Sequence, residues 1–221
     1  MQARLGEPDR DEILTYLGFH GRECPAELVG QLTECMRRVT EAARPKLVYR
    51  RLPLEGGEIR GLPLGGGDIR ALLAPCREAV LLAVTLGGGV ERLLMCSEVS
   101  DMGDTVIMDA CASAAVESVC ENFDADLRLT LHGEGLYLTD RFSPGYGDLP
   151  LDCQSALCEA LNAQRRIGLT VTETQILIPR KSVTAIMGIA DTPQPLQRHG
   201  CGKCSLSATC PYRKEGAKCH E

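Results

Sequence analysis

Leu28, Leu32, Cys35, Met36, Val39 and Ala42 recur at three- and four-residue spacing, which predicts a helix opening near Pro25. Ahead of it, Asp9-Arg10-Asp11-Glu12 is a capping-box pattern and predicts a first helix through Leu17. The periodicity then changes. Residues 47–52 read as a short strand, and the nearly continuous apolar run at 79–86 reads as a buried strand closed by Gly87-Gly88-Gly89. A helix is expected over 90–97 and a stronger one over 104–123, where Met108, Ala112, Val116, Val119 and Phe123 line one face. Cys111-Ala112-Ser113-Ala114-Ala115 makes the first half of that helix thin enough for a second backbone to approach closely. Asp101 and Asp104 sit where helix caps belong. Residues 127–131 alternate like a strand, 151–166 read as a helix, and 171–178 with 182–189 read as a hairpin across Pro179-Arg180-Lys181. Helices and strands mix without regular βαβ alternation. The expected class is therefore α+β, with helices packed on an antiparallel or mixed β-sheet.

Residues 52–61 are echoed at 62–71, each stretch carrying an acidic residue, Ile and Arg just before its last position. Two copies make a duplicated loop or hairpin arm, since a solenoid needs three or more. With 221 residues, 44% hydrophobic and 24% charged, the chain has the make-up of a soluble globular protein. It has no Trp, 3 Phe and 5 Tyr, so its core must be aliphatic and it lacks stacking platforms for bases. A net charge of −6 also speaks against a phosphate-backbone partner, which excludes nucleic acid as the expected ligand. No run approaches the roughly 20 apolar residues of a membrane span, and no signal-peptide pattern opens the sequence. A cytoplasmic protein with no membrane partner is expected.

Twelve cysteines fall into two groups. Cys24, Cys35, Cys76, Cys96, Cys111, Cys120, Cys153 and Cys158 lie in predicted core elements, where a free thiol acts as a small hydrophobe. Cys201, Cys204, Cys210 and Cys219 lie in a polar tail with the spacing C-x2-C-x5-C-x8-C. A C-x2-C turn directs two thiolates at one ion, so the tail reads as a metal site for zinc or an iron–sulfur cluster. The Cys210-Pro211 step tilts the choice toward the cluster. His199 and His220 are alternatives to Cys219 as fourth ligand. The expected organisation is a main domain over residues 1–195 and a Cys-rich tail over 196–221.

Arg141-Phe142-Ser143-Pro144-Gly145-Tyr146 reads as a rigid loop: Pro144 fixes one dihedral and Gly145 lets a backbone approach a ligand. It flanks that turn with a guanidinium, suited to a planar carboxylate, and an aromatic ring. The Arg-x-x-Pro-Gly-Tyr loop resembles the signature of the activation domain of cobalamin-dependent methionine synthase. Pro179-Arg180-Lys181-Ser182-Val183 is similar to that family's Pro-x-x-Ser-Val strand, and residues 110–121 resemble its small-residue helix. The resemblance runs loosely from about Asp9 to Ala190 and implies a domain that binds S-adenosylmethionine and docks on a cobalamin-binding partner. There, one-electron reduction coupled to methyl transfer returns inactive cob(II)alamin to methylcobalamin.

Carried over, the resemblance implies that Arg141 pairs with the ligand carboxylate and that Ser143 and Gly145 offer backbone contacts. It places Tyr146 near the reactive methyl, and Glu117 supplies negative charge for the ammonium or sulfonium. Gly147 stands where the family usually has Pro, which predicts a looser loop. The chain is similar to free-standing versions of this domain, which serve a separate methionine synthase or other corrinoid protein as accessory components rather than complete enzymes. The alternative is an iron–sulfur or zinc protein, for electron transfer or partner binding, that no longer binds S-adenosylmethionine. No Ser-His-Asp set is evident, and Gly87-Gly88-Gly89 lacks both G-x-G-x-x-G and the P-loop Lys, so it reads as a tight turn.

Overall fold

The computed structural model describes residues 1–19, 24–62 and 64–194. Cys201, Cys204, Cys210 and Cys219, and with them the expected tail unit 196–221, lie outside the described residues. In chain order the first elements are α1 (Arg10–Tyr16), α2 (Ala26–Ala42), β1 (Lys46–Pro53), α3 (Gly67–Leu73), β2 (Cys76–Thr85) and α4 (Gly88–Ser100). They are followed by α5 (Met102–Gly133), β3 (Tyr137–Leu138), α6 (Cys153–Leu161), α7 (Ala163–Ile167), β4 (Thr170–Val171), β5 (Leu177–Ile178) and β6 (Ser182–Ala190).

β2 and β6 are buried along almost their whole length because both faces of the sheet are covered. The four strands run in the order β1-β2-β6-β3, and every pairing is antiparallel. On one face Val80, Leu82, Val84, Met187 and Ile189 meet the apolar sides of α1, α2, α4 and α5. On the other, Leu81, Ala83 and Ile186 meet α3, α6 and α7. The alternation of adjacent strand residues between the two clusters follows from the period-2 geometry of a strand. The expected α+β class holds, with the sheet antiparallel.

Three expectations are corrected. Residues 127–131 are not a strand but the continuation of α5, a helix of 32 residues. Phe123, Leu127 and Leu131 form one buried stripe at four-residue spacing, whereas Leu129 is 75% exposed; that is helical periodicity. The helix expected over 151–166 is split at Asn162, whose φ of 51° ends α6 before α7 begins. Residues 171–178 do not pair with 182–189. Instead β4 pairs with β5, closed by hydrogen bonds between Thr172 and Ile176, and β6 pairs with β2 as a central strand.

The two copies of the repeat share a buried Ile but differ in backbone structure. Ile59 and Ile69 both enter the second core cluster, the first copy as a turn closed by the Glu55–Glu58 bridge, the second running into α3. Asp101 caps α5, accepting from the backbone N–H groups of Gly103 and Asp104 at 2.8 and 3.1 Å. Cys35, Cys111, Cys120, Cys153 and Cys158 are buried as expected, Cys24 and Cys76 are half-buried, and Cys96 departs by lying exposed on α4. Burial pushes the Cys111 and Cys120 thiols up to about 12, which keeps them protonated and inert. No described helix is long and apolar enough to cross a membrane.

Candidate functional site

Phe142 is tied to the sheet by a reciprocal pair of backbone hydrogen bonds with Ile186, each 2.9 Å. Its ring packs into the cluster on the α3/α6 face. Neighbouring residues in extended chain point to opposite sides, so Arg141 is directed toward α5. There Arg141 Nη1 donates to Glu117 Oε2 at 2.9 Å, and Nε lies 2.8 Å from Asp124 Oδ2. Glu117 and Asp124 are seven residues apart on α5, two helical turns, and share a face. Arg141 and Glu117, 24 residues apart in sequence, thus pair with each other, whereas the resemblance implies that each faces a group of the ligand. The guanidinium is 20% exposed, Glu117 31% and Asp124 18%.

The loop beyond Arg141 is closed by its own backbone. Tyr146 N–H donates to Ser143 O at 3.1 Å, Gly145 N–H to Leu149 O at 3.0 Å and Leu149 N–H to Tyr146 O at 3.0 Å. Gly145 has a φ of 87° and Gly147 a φ of 53°, conformations that a side chain disfavours. A Cβ at Gly147 would sit 2.6 Å from the Asp68 carboxylate. The glycine at 147 allows close approach to α3. Just beyond it the Asp148 carboxylate accepts from the backbone N–H groups of Gly67 and of Asp68 (3.0 Å for the latter), which pins the loop to the uncapped start of α3. Tyr146 stands at the apex, 63% exposed.

α1 completes the surroundings. It packs on α5 through Ile13 and Leu14, and its outer face carries Glu12 and Tyr16, joined by a 2.7 Å hydrogen bond from the phenol to Oε1. Burial raises the Glu12 carboxyl above its ordinary range, the Tyr16 hydrogen bond opposes that rise, and the charges of Glu117 and Glu121 add to it. Burial also raises the Tyr16 phenol, reinforced by Glu12, Glu117 and Tyr146. Asp124 moves furthest among these carboxyls, from 3.8 to about 6: burial dominates, Arg141 and Arg128 pull the other way, and Glu117 adds to the rise. Its Oδ1 is buried without a hydrogen-bond partner among the described residues. Arg141 thus holds two carboxylates of α5, with Arg128 also acting on Asp124.

A solved structure of the MetH reactivation domain bound to AdoHcy superposes on this chain with a TM-score of 0.59. The fold is similar to that reactivation domain. The match covers 92% of this chain and 78% of the other at 14% sequence identity, a level at which the likeness concerns the fold. No family model matches the sequence, and no curated protein matches it.

On this reactivation-domain-like fold the residues singled out from sequence gather in one place: Glu117 on α5, and Arg141, Ser143, Gly145 and Tyr146 in the adjoining loop. Asp124, Glu12 and Tyr16 were not singled out. The signal for Asp124 was its two-turn spacing from Glu117, and for Glu12 and Tyr16 their four-residue spacing on α1. Among the described residues no cluster of His, Cys, Asp and Glu could hold a metal ion.

A pocket of about 490 Å³ opens elsewhere, at Gly87, Gly88 and Gly89, with Arg44, Lys46 and Arg92 on its walls. Its geometry is that of a packing junction. Arg44 donates back to the Glu41 and Ala43 carbonyls, and a Cβ at Gly89 would collide with the Ala42 carbonyl. Of the triple glycine read as a tight turn, only Gly87, with a φ of 82°, makes the turn; Gly88 and Gly89 open α4 and pack its start on the end of α2.

Proposed function

We propose that the chain binds S-adenosylmethionine at the Arg141–Glu117 site and supports reductive methylation of cobalamin on a methionine synthase or related corrinoid protein. The observation that carries this reading is the meeting of Arg141 and Glu117 beside a loop with an exposed Tyr146. The donor set suits the ligand. S-adenosylmethionine presents one carboxylate, one ammonium and one sulfonium, and the site offers one guanidinium with an excess of carboxylates. In this reading Arg141 takes the carboxylate, Glu117 faces the ammonium or sulfonium, Ser143 and Gly145 present backbone groups, and Tyr146 lies toward the methyl. A guanidinium carries five N–H donors, so two carboxylate contacts do not exhaust it.

The chain acts in this proposal as an accessory component, with cobalamin held by the partner. Cys201, Cys204, Cys210 and Cys219 would hold zinc or an iron–sulfur cluster; a cluster would supply the electron that reduces the cobalt. A second reading has its own support: Arg141 is already ion-paired within the chain, which fits a metal protein whose old ligand site is self-satisfied.

One assay separates the readings. The full chain, S-adenosylmethionine and a methionine synthase holding cob(II)alamin are mixed with a chemical reductant, and methylcobalamin is followed by its visible spectrum. Formation that depends on the chain supports the proposal; formation at the rate of the chain-free control contradicts it. In a second arm without added reductant, using chain reduced beforehand and freed of excess reductant, a variant with the four tail cysteines changed to Ser loses activity only if the tail delivers the electron.

A further inference from the structure

The proposed function leaves Asp124 without a task, and its position is an unusual place for a carboxylate. Oδ2 holds Arg141 Nε at 2.8 Å, whereas Oδ1 is buried with no donor facing it among the described residues. Glu117, on the same guanidinium, is the more exposed of the two acids. The pair is asymmetric, one partner fixed below and one at the rim.

We infer that Asp124 is a positioning residue for the proposed ligand site: it keeps Arg141 in place while Glu117 is exchanged for an incoming zwitterion. The exchange conserves charge pairing. Before it, Arg141 faces Glu117 and Asp124; after it, Arg141 faces the ligand carboxylate and Asp124, and Glu117 faces the ligand ammonium. Without a fixed second carboxylate the guanidinium would have to reorganise as Glu117 leaves, which costs affinity. This inference rests on the S-adenosylmethionine reading.

The charge on Asp124 is held against a stability cost. Its carboxyl sits near 6 against an ordinary 3.8. Between those values the folded chain retains a proton that the unfolded chain has lost. Acidification through pH 6 therefore stabilises the fold, and above pH 6 the ionised group works against it. The groups facing it are Arg141 from the loop and Arg128 and Glu117 on α5; Glu12 and Tyr16 on α1 face Glu117 in turn, and Asp140 pairs with Arg128 at 3.2 Å. A fold that keeps a destabilising charge at a ligand-facing cluster fits a functional demand.

Calorimetric titration of S-adenosylmethionine into wild type, Asp124→Ala and Asp124→Asn between pH 5 and 8 tests this. Asp124→Ala weakens binding about tenfold at pH 7.5, the cost of one charge-assisted contact. Asp124→Asn, which keeps an acceptor for Nε, falls between it and wild type and melts at a higher temperature than wild type at pH 7.5. Wild-type affinity declines on acidification through about pH 6, and the difference between the wild-type and Asp124→Asn profiles isolates Asp124 from Glu12. Wild-type affinity in Asp124→Ala, or superimposable pH profiles, overturns the inference. An arm without ligand covers failure of binding itself. The Arg141 Nε–H resonance, assigned by its loss in Arg141→Lys, titrates near pH 6 in wild type and not in Asp124→Asn. A wild type that binds no S-adenosylmethionine ends the ligand reading, whereas an Nε–H resonance insensitive to pH refutes the anchor.

Discussion

Replacing Arg141 by Ala lowers affinity for S-adenosylmethionine by roughly 100-fold, the equivalent of about 3 kcal/mol for charge-assisted bonds to one carboxylate. Two costs are combined in that variant. The ligand loses its guanidinium, and Glu117 and Asp124 lose the cation that lets two carboxylates share one face of α5. Breaking a buried pair by removing one partner leaves an uncompensated charge, so Arg141→Ala also unfolds more easily at pH 7.5. Arg141→Lys separates the effects. It restores the charge without the planar fork, so its denaturation midpoint stays near wild type while its affinity remains at least about tenfold weaker. Equal affinity in wild type and Arg141→Lys would mean that the fork is not used.

Phe123→Ala gives the largest expected effect on stability, about 3–5 kcal/mol, read as a drop in denaturant midpoint at unchanged slope. Phe123 is 2% exposed, its ring lies 5.1 Å from that of Tyr49 on β1, and few other aromatics are available to fill the space. Domain stabilities of about 5–15 kcal/mol make this a large fraction of the whole. The site reports the same event. Asp124 follows Phe123 directly and Glu117 lies on the same helix, so loosening the packing of α5 on the sheet weakens ligand binding as well. A loss under about 1 kcal/mol would contradict the packing described for α5 against β1.

Much of this was legible in the residues, and the exceptions have physical causes. The buried strand at 79–86 was visible because a strand covered on both faces is apolar throughout, and β2 is covered on both. The alternation at 127–131 misled because Leu-Arg-Leu-Thr-Leu satisfies a period of two locally, while Leu127 and Leu131 continue the stripe of Phe123. A five-residue window cannot see that stripe. The antiparallel partner of β6 was misjudged for a related reason: sequence proximity favoured residues 171–178, but Thr172 and Gln175 turn that stretch back on itself, with φ of 63° at Gln175.

At the site, Arg141 through Tyr146 were readable because the chemistry and the rigid turn coincide in six residues. Glu117 came from resemblance, and the structure brings it to Arg141. Asp124 was hidden because an acid on a helix is ordinarily a solvated residue; its meaning comes from burial and from Arg141 arriving from another element. The anchoring of the loop by Asp148 to the start of α3 was hidden too, since it joins the second copy of the repeat to a loop some 80 residues away.

The account depends on a guanidinium and an acid on α5 acting together on a small zwitterion. Calorimetric titration of S-adenosylmethionine into the full wild-type chain at pH 7.5 measures this most directly. Saturable heat with one ligand per chain, abolished or strongly weakened in Arg141→Ala, is the expected result. A flat titration at millimolar ligand, from a chain that is folded by its thermal transition, would contradict it and leave Arg141, Glu117 and Asp124 as an internal ion-pair cluster.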